Sequence, residues 1–400
     1  MTSLRRSLSF PLVVLYGLGT TIGAGIYVLL GAAVEHAGLL APLSFIAAAI
    51  VMVFSAASFA ELSARFPVSA GEAAYAREGY RSSRLSLVVG LMVVASGIIS
   101  SAAISIGSVG YIRELVDVNE TVMAAIVILL IGAVVAWGIV ESVLLVSLFT
   151  VIEVGALILI IVVGFSADPQ PLDVVPEMVP AFTYDGVWGV AGAALIAFFA
   201  FIGFEDMVNL AEEVHEPERV LPSAIFATLI LTTLIYVLIA IVAVGSVPLD
   251  ELAASRAPLS LVFERVAGVS PLAITLIAIV ATLNGVIVQM IMASRVLYGL
   301  ANMRSLPSAL SRINETTRTP LIATATVVGF VLALALMFPI TALATWTSGV
   351  VLVVFILVNG ALWRIKRRDG NKAGVFTVPL WVPIAGILSC GALLITGFAG

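Results

Sequence analysis

Hydrophobic positions in this chain come in long runs separated by short polar segments. A run of about 18 or more apolar residues is long enough to cross the hydrocarbon core of a bilayer as a helix. Eleven such runs stand near residues 10–33, 41–64, 85–110, 121–139, 142–165, 187–210, 222–245, 271–299, 321–338, 343–364 and 381–398. They predict an all-α membrane protein of about 11 transmembrane helices.

Two of the runs are interrupted. The first carries five glycines from Gly17 to Gly31, reading Gly17-Leu-Gly-Thr-Thr-Ile-Gly-Ala-Gly-Ile-Tyr at its start. The sixth contains Ile202-Gly203-Phe204-Glu205, with Gly203 placed 180 positions after Gly23. Backbone inside a membrane leaves the helical ladder only where the freed N–H and C=O groups meet an ion, water or ligand. Two matched breaks therefore predict helices 1 and 6 broken around a site at the midplane. Runs one to five (about 10–165) and six to ten (about 187–364) each open on a broken run. An odd number of spans per set inverts the second set, so residues 1–365 are expected to form a 5+5 inverted-repeat transport core. Residues 366–400 add a further transmembrane helix. Such repeats let one half rock against the other and expose a central site to each side in turn.

Composition and charge narrow the picture further. Hydrophobic residues make up 61% of the chain and charged residues 11%, with a mean hydropathy of +1.19, far outside the soluble range. With the N-terminus placed in the cytoplasm, the basic residues collect on that side, among them Arg5, Arg6, Arg65, Arg77, Arg81, Arg84, Arg304, Arg318, Arg364, Lys366, Arg367 and Arg368. Only Arg113, Arg256 and Arg265 fall outside, so the pattern predicts an integral protein of the cell membrane with a cytoplasmic N-terminus. The net charge of −5 comes partly from Asp168, Asp173, Glu177 and Asp185, read as a solvated external loop. A single cysteine, Cys390, excludes an intrachain disulfide. His36 and His215 lie in loops on opposite sides, and no metal-ligand spacing, nucleophile–base set or phosphate loop accompanies them. The reading is of a protein that is not an enzyme, uses no cofactor and binds no nucleic acid, its partners being the lipid bilayer and a small solute.

Four segments, in order, carry a resemblance to a known family. They are Gly19-Thr-Thr-Ile-Gly-Ala-Gly-Ile-Tyr27, Glu61-Leu-Ser-Ala-Arg-Phe-Pro-Val-Ser-Ala-Gly71 with Tyr75, Phe201-Ile-Gly-Phe-Glu205, and Glu212-Glu-Val-His-Glu-Pro-Glu-Arg-Val-Leu-Pro222. Together they resemble the amino acid-polyamine-organocation superfamily of permeases, over nearly the whole chain. The resemblance implies the 5+5 inverted-repeat fold and amino acid transport. Many relatives have twelve spans, one more than the runs found here. Glu72 stands where the family usually has a second glycine.

A zwitterionic substrate brings a carboxylate and an ammonium into low dielectric, and each must be paired or hydrogen-bonded there. The N–H groups of Gly23, Ala24 and Gly25, at the positive end of the second half of helix 1, suit the carboxylate. Carbonyls freed near Thr21, Phe199 and Ile202, beside Gly203, suit the ammonium. The alternative use of Gly19 and Gly23 is a small-residue packing face. The resemblance implies that Phe199 closes over substrate, although Phe198 and Phe201 are near enough in sequence to compete for the role. Ser100, Ser101, Asn284 and Gln289 are candidate cavity residues. Glu153 and Glu205, with Asp206, are carboxylates at membrane depth, a costly placement that points to function. In proton-coupled relatives a lysine occupies the place of Glu153, so the resemblance implies a coupling role with the charge reversed. The expected function is proton-coupled amino acid symport, with sodium as the alternative ion. An obligate amino acid or polyamine exchanger and a non-transporting receptor or subunit are the competing readings.

Overall fold

A computed structural model describes residues 8–23, 25–67, 71–137, 143–167, 171–178, 183–302, 305–315, 317 and 319–399. Ala24, Arg5, Arg6, Arg304 and Arg318 lie outside the described residues. The described elements are helical: α1 (Phe10–Ile22), α2 (Gly25–Ala37), α3 (Ala41–Arg65), α4 (Gly71–Tyr80), α5 (Ser83–Arg113), α6 (Glu120–Trp137), α7 (Val143–Phe165), α8 (Val175–Met178), α9 (Tyr184–Phe201), α10 (Pro217–Ser246), α11 (Leu249–Ala254), α12 (Pro258–Ala267), α13 (Leu272–Asn302), α14 (Leu321–Met337), α15 (Ile340–Asp369) and α16 (Trp381–Ala399). The eleven apolar runs reappear as α1 with α2, α3, α5, α6, α7, α9 with a following 3₁₀ stretch, α10, α13, α14, α15 and α16. The protein is an all-α integral membrane protein.

Local chemistry sets several boundaries. Proline in the first turn opens α1, α3, α10 and α12, where its missing N–H costs nothing. Ser82 Oγ caps α5 by accepting from Leu85 N at 3.2 Å, and Thr183 Oγ1 caps α9 by accepting from Gly186 N at 3.1 Å. Helices α4, α11 and α12 fall in segments the apolar runs leave as loops, because each is short and carries charge.

Two buried apolar clusters organise the bundle. The first draws mainly on α1, α2, α3, α9, α10, α15 and α16. The second draws on α5, α6, α14 and the later part of α13. Phe199 of α9 belongs to the second cluster, and Ile202 packs against both. The sixth-run break therefore sits at the seam between the clusters.

Two buried polar clusters within this part of the bundle are internally paired. Asn359 of α15 donates to Ser55 Oγ at 2.9 Å and to Phe355 O at 2.8 Å, and accepts from Ser58 Oγ at 2.6 Å. At one end of the bundle Glu61 of α3 is fully buried and accepts from Arg65 Nε (2.8 Å), Lys366 Nζ (2.8 and 2.9 Å) and Val378 N (2.7 Å). Arg65 also donates to Gly370 O at 2.9 Å. A buried carboxylate is tolerable when its lone pairs are filled in this way. This end, which also carries Arg81, Arg364 and Arg368, is called the basic end below. The bridge between Leu8 and Val214, made by Leu8 N to Glu213 O and His215 N to Leu8 O, ties the start of α1 to the segment before α10.

Candidate functional site

Both interruptions are real breaks in the helices, and they face each other. In the first run, α1 ends at Ile22 and α2 begins at Gly25. In the sixth, α9 ends at Phe201, Ile202 is extended (φ −65°, ψ 134°) and Gly203 takes φ 123°, before a 3₁₀ stretch over Phe204–Leu210. Gly203 needs to be glycine twice over. Its φ lies where L side chains rarely go, and an added Cβ would lie 2.7 Å from Thr20 C and closer still to Thr20 O. Gly25 lies against α9 in the same way, since an added Cβ would lie 2.6 Å from Ala200 Cβ. Close backbone approach is what the glycines provide here.

Three hydrogen-bonding groups hold the breaks together. Thr20 Oγ1 donates to Gly203 O at 2.9 Å. Glu205 Oε2 accepts from Gly203 N at 2.8 Å. The Tyr236 hydroxyl of α10 reaches both Thr21 O (3.0 Å) and Ala200 O (2.8 Å), sharing one proton between the two broken helices.

This geometry corrects two expectations about free backbone groups. The Gly23 N–H is not free: the α1 hydrogen-bond ladder runs one residue past Ile22, and Gly23 N donates to Gly19 O at 3.3 Å. Among the described residues, the donors available beside this break are those of the first turn of α2 from Gly25 onward, because the first turn of any helix leaves its N–H groups without partners in the helix. Nor are the carbonyls bare. Thr21 O accepts from Tyr236, and Phe199 O accepts from Ile202 N at 3.1 Å. Each keeps a second lone pair, so a ligand ammonium would share them.

A cavity opens between the breaks and the second cluster. Its lining includes Thr20, Thr21, Gly25, Ser100, Phe199, Ile202 and Gln289, with Ile104 and Val288 as apolar wall. Its volume is about 20 Å³, room for about one water. Of the three neighbouring phenylalanines only Phe199 lines it; Phe198 packs on Phe355 at 5.9 Å and Phe201 on Tyr236 at 5.1 Å between ring centroids. Thr21 Oγ1 is buried with no hydrogen-bond partner among the described residues. Ser101 is buried with Oγ donating to Gly97 O at 2.7 Å, and Asn284 is buried with its amide nitrogen unpartnered among the described residues; neither lines this cavity.

A second cavity shares Ile202 and Gln289 with the first. Glu72, Glu205 and Asp206 line it, with Ser96 and Phe355. Glu72 comes from α4, in the segment between spans, and burial pushes its carboxyl up to about 7. The glycine-to-glutamate departure noted in the sequence thus adds a third carboxylate beside the sixth-run break. Sequence reasoning singled out the position and missed this role, because nothing along the chain brings residue 72 next to residue 205.

Glu153 lines neither cavity and lies behind the first-run break. It is 1% exposed, and neither carboxyl oxygen has a hydrogen-bond partner among the described residues. A Cβ built on Gly23 would lie 3.8 Å from Glu153 Oε2 and 3.7 Å from Ala281 O of α13. The carboxyl therefore occupies the space between the break and α13. Tyr27 Oη donates to Glu153 O at 3.0 Å, and Tyr111 Oη donates to Tyr27 O. No group of three or more His, Cys, Asp or Glu side chains suited to a metal ion is found among the described residues.

Comparison with known proteins gives one family across the chain. Residues 8–400 match the family model described as amino acid permease. The cationic amino acid transporter 3, mitochondrial, of Arabidopsis thaliana is 31% identical over 91% of this chain, which spans 63% of that relative's length. An uncharacterized transporter of Mycobacterium tuberculosis is 30% identical over 98% of the chain and 86% of its own length. The branched-chain amino acid permease BcaP of Bacillus subtilis is 26% identical over 98% and 88%.

Proposed function

Because the chain belongs to the amino acid permease family, we propose that it is a secondary active transporter of amino acids in the cell membrane, with its N-terminus in the cytoplasm, working by proton-coupled symport. The substrate carboxylate docks on the first-turn N–H groups of α2, beginning at Gly25. The ammonium is shared among the carbonyls of Thr21, Phe199 and Ile202. Phe199 closes over it, and the side chain points toward Ser100, Ile104 and Gln289. Spans one to five and six to ten form inverted repeats, and rocking at the seam exposes the site to each side in turn. Relatives named for cationic and for branched-chain amino acids make lysine, arginine, leucine and valine the first substrates to try.

The observation that carries the coupling is Glu153, a buried carboxyl without a hydrogen-bond partner among the described residues, set against the break of the first run. Protonated, it donates a hydrogen bond to backbone freed there. Ionised, it is a bare charge at membrane depth, which is costly. Loading a proton is therefore linked to the geometry of the break that binds the substrate carboxylate. One charge moved down 100 mV supplies about 2.3 kcal/mol, roughly 50-fold accumulation of a neutral amino acid.

The test is uptake of labelled amino acids into proteoliposomes under an inward proton gradient, an inward sodium gradient, or no gradient with amino acids preloaded. Accumulation under the proton gradient should vanish in Glu153→Gln while exchange against preloaded substrate survives. Uptake only with preloaded substrate would make the protein an exchanger and remove the coupling proposal. Dependence on sodium would reassign the ion.

A further inference from the structure

The basic end holds a third cavity, of about 420 Å³, that shares no lining residue with the two at the breaks. Tyr80, Arg81, Trp363, Arg364, Arg367 and Arg368 line it. The last turns of α15 split their cations between two faces. Lys366 turns inward to the buried Glu61, whereas Arg364, Arg367 and Arg368 are exposed and border the cavity. Arg81 reaches it from the end of α4 with a φ of 53°.

The guanidiniums are held in place by different means. Arg364 lies over the Tyr80 ring at 5.3 Å, with Nε donating to Gly79 O at 3.3 Å. Arg367 lies over the Trp363 ring at 5.3 Å. Stacking fixes the plane of a guanidinium and leaves its N–H edges available. Arg368 is occupied: its fork grips both Asp369 oxygens at 2.8 Å, and Nη1 donates to Glu78 O at 3.1 Å. Asp369 and Glu78 are the acids beside the cluster, so four guanidiniums leave net positive charge at the cavity. Retention of basic residues on one side of a membrane explains why arginines are at this end. It does not explain why two are stacked on aromatic rings around a common volume.

From this arrangement we infer that the cavity binds the phosphate headgroup of an anionic phospholipid, of the phosphatidylglycerol type. The planar fork of arginine matches phosphate oxygens. Tryptophan and tyrosine favour the headgroup level of the bilayer, and basic pockets at the ends of spanning helices are suited to anionic headgroups. A headgroup seated here bridges α4 to α15, the helix whose Lys366 grips Glu61 of α3.

The test uses full-length protein in phosphatidylcholine nanodiscs, with retained lipid counted by native mass spectrometry and the melting temperature followed as lipid is added. Probes are phosphatidylglycerol, further phosphatidylcholine, glycerol phosphate and inorganic phosphate. Phosphatidylglycerol should bind saturably and raise the melting temperature. Each guanidinium near a membrane surface contributes about fivefold, so Arg81→Gln/Arg367→Gln should weaken this by about 25-fold. Arg81→Lys/Arg367→Lys should retain most of it, and Arg219→Gln/Arg312→Gln, at two arginines that do not line the cavity, should change little. The lipid-free melting temperature of each variant separates misfolding from lost binding. Wild-type phosphatidylglycerol binding by a folded Arg81→Gln/Arg367→Gln variant, or equal retention of phosphatidylcholine, would overturn the inference. Inorganic phosphate or glycerol phosphate binding as tightly as phosphatidylglycerol would overturn the lipid as occupant.

Discussion

Replacing Gly25 by alanine tests the close approach on which the site depends. An added Cβ would lie 2.6 Å from Ala200 Cβ and 3.2 Å from Ala200 C, with Ala200 Cα nearer still. These are backbone and Cβ atoms of a helix, so no side-chain rotation relieves the clash. Restoring an ordinary contact of about 3.5 Å requires α2 and α9 to separate by about 1 Å, and overpacking of this kind costs about 1–3 kcal/mol. The separation moves the first-turn donors of α2 away from the carbonyls at the second break. If the whole cost falls on the substrate-binding geometry, apparent affinity drops by about 5–150-fold. Gly155 of α7 is the control, because an added Cβ there meets nothing within 4 Å and alanine favours the helix by about 1 kcal/mol. Labelled amino acid uptake into proteoliposomes, measured across substrate concentration, should show a raised KM for Gly25→Ala and a normal KM for Gly155→Ala. Equal KM and maximal rate in the two variants would refute the reasoning, because the glycine would then serve helix packing alone.

Two further outcomes follow from the site's neighbours. Tyr236→Phe removes the hydroxyl shared by Thr21 O and Ala200 O; with two buried carbonyls losing their donor, stability should fall by about 1–3 kcal/mol, read as a lower melting temperature in detergent, and an unchanged value would show that water replaces the hydroxyl. Burial raises the Glu72 carboxyl from 4.5 to about 7, so the folded protein holds this proton more tightly than the unfolded chain. The contribution is fully present below pH 4.5 and is lost as pH rises to about 7, a change of about 3 kcal/mol. Between pH 5 and 8 the melting temperature of Glu72→Gln should therefore decline less than that of the unsubstituted protein, and parallel profiles would reject the assignment.

The spans and the two breaks were legible in the sequence because lipid allows few solutions. A spanning segment must be apolar for most of its length, and a glycine pair inside one is conspicuous. Helix ends agree with the apolar runs to within about five residues for the same reason. Helices α4, α11 and α12 were not legible, since a short charged helix lying between spans has no such constraint. Glu205 could be nominated as a carboxylate just past the sixth-run break, and Phe199 from the family resemblance. The bonded state of Gly23 N could not, because it depends on α1 running one residue further before breaking. The carboxylate of Glu72 and the cavity of Arg81, Arg364 and Arg367 arise from contacts between segments far apart in sequence. A count of basic residues per loop sees those arginines only as a topology signal.

The rocking proposed above would need a surface that can slip at the seam, and the α5 face has the chemistry for it. Ser96, Ser100, Ser101, Ser105 and Ser108 all lie on α5, and each Oγ donates to a carbonyl three or four residues earlier in the same helix. Hydroxyls satisfied within their own helix make no demand on the opposite side, so the facing helices can shift without stranding buried donors. The other side of the seam is built in the opposite manner: Thr20 to Gly203 and Tyr236 to Thr21 and Ala200 bind α1, α9 and α10 to one another. The bond from Tyr111 Oη to Tyr27 O joins α5 to α2 within the first cluster, so movement of α2 over α5 would break it. A neutral hydrogen bond contributes about 1 kcal/mol net, less than the roughly 2.3 kcal/mol available from one charge moving down 100 mV. On that proposal, opening the cavity from about 20 Å³ to admit a substrate would call for the linked broken helices to move over α5, with the Tyr111 bond broken and remade on each cycle.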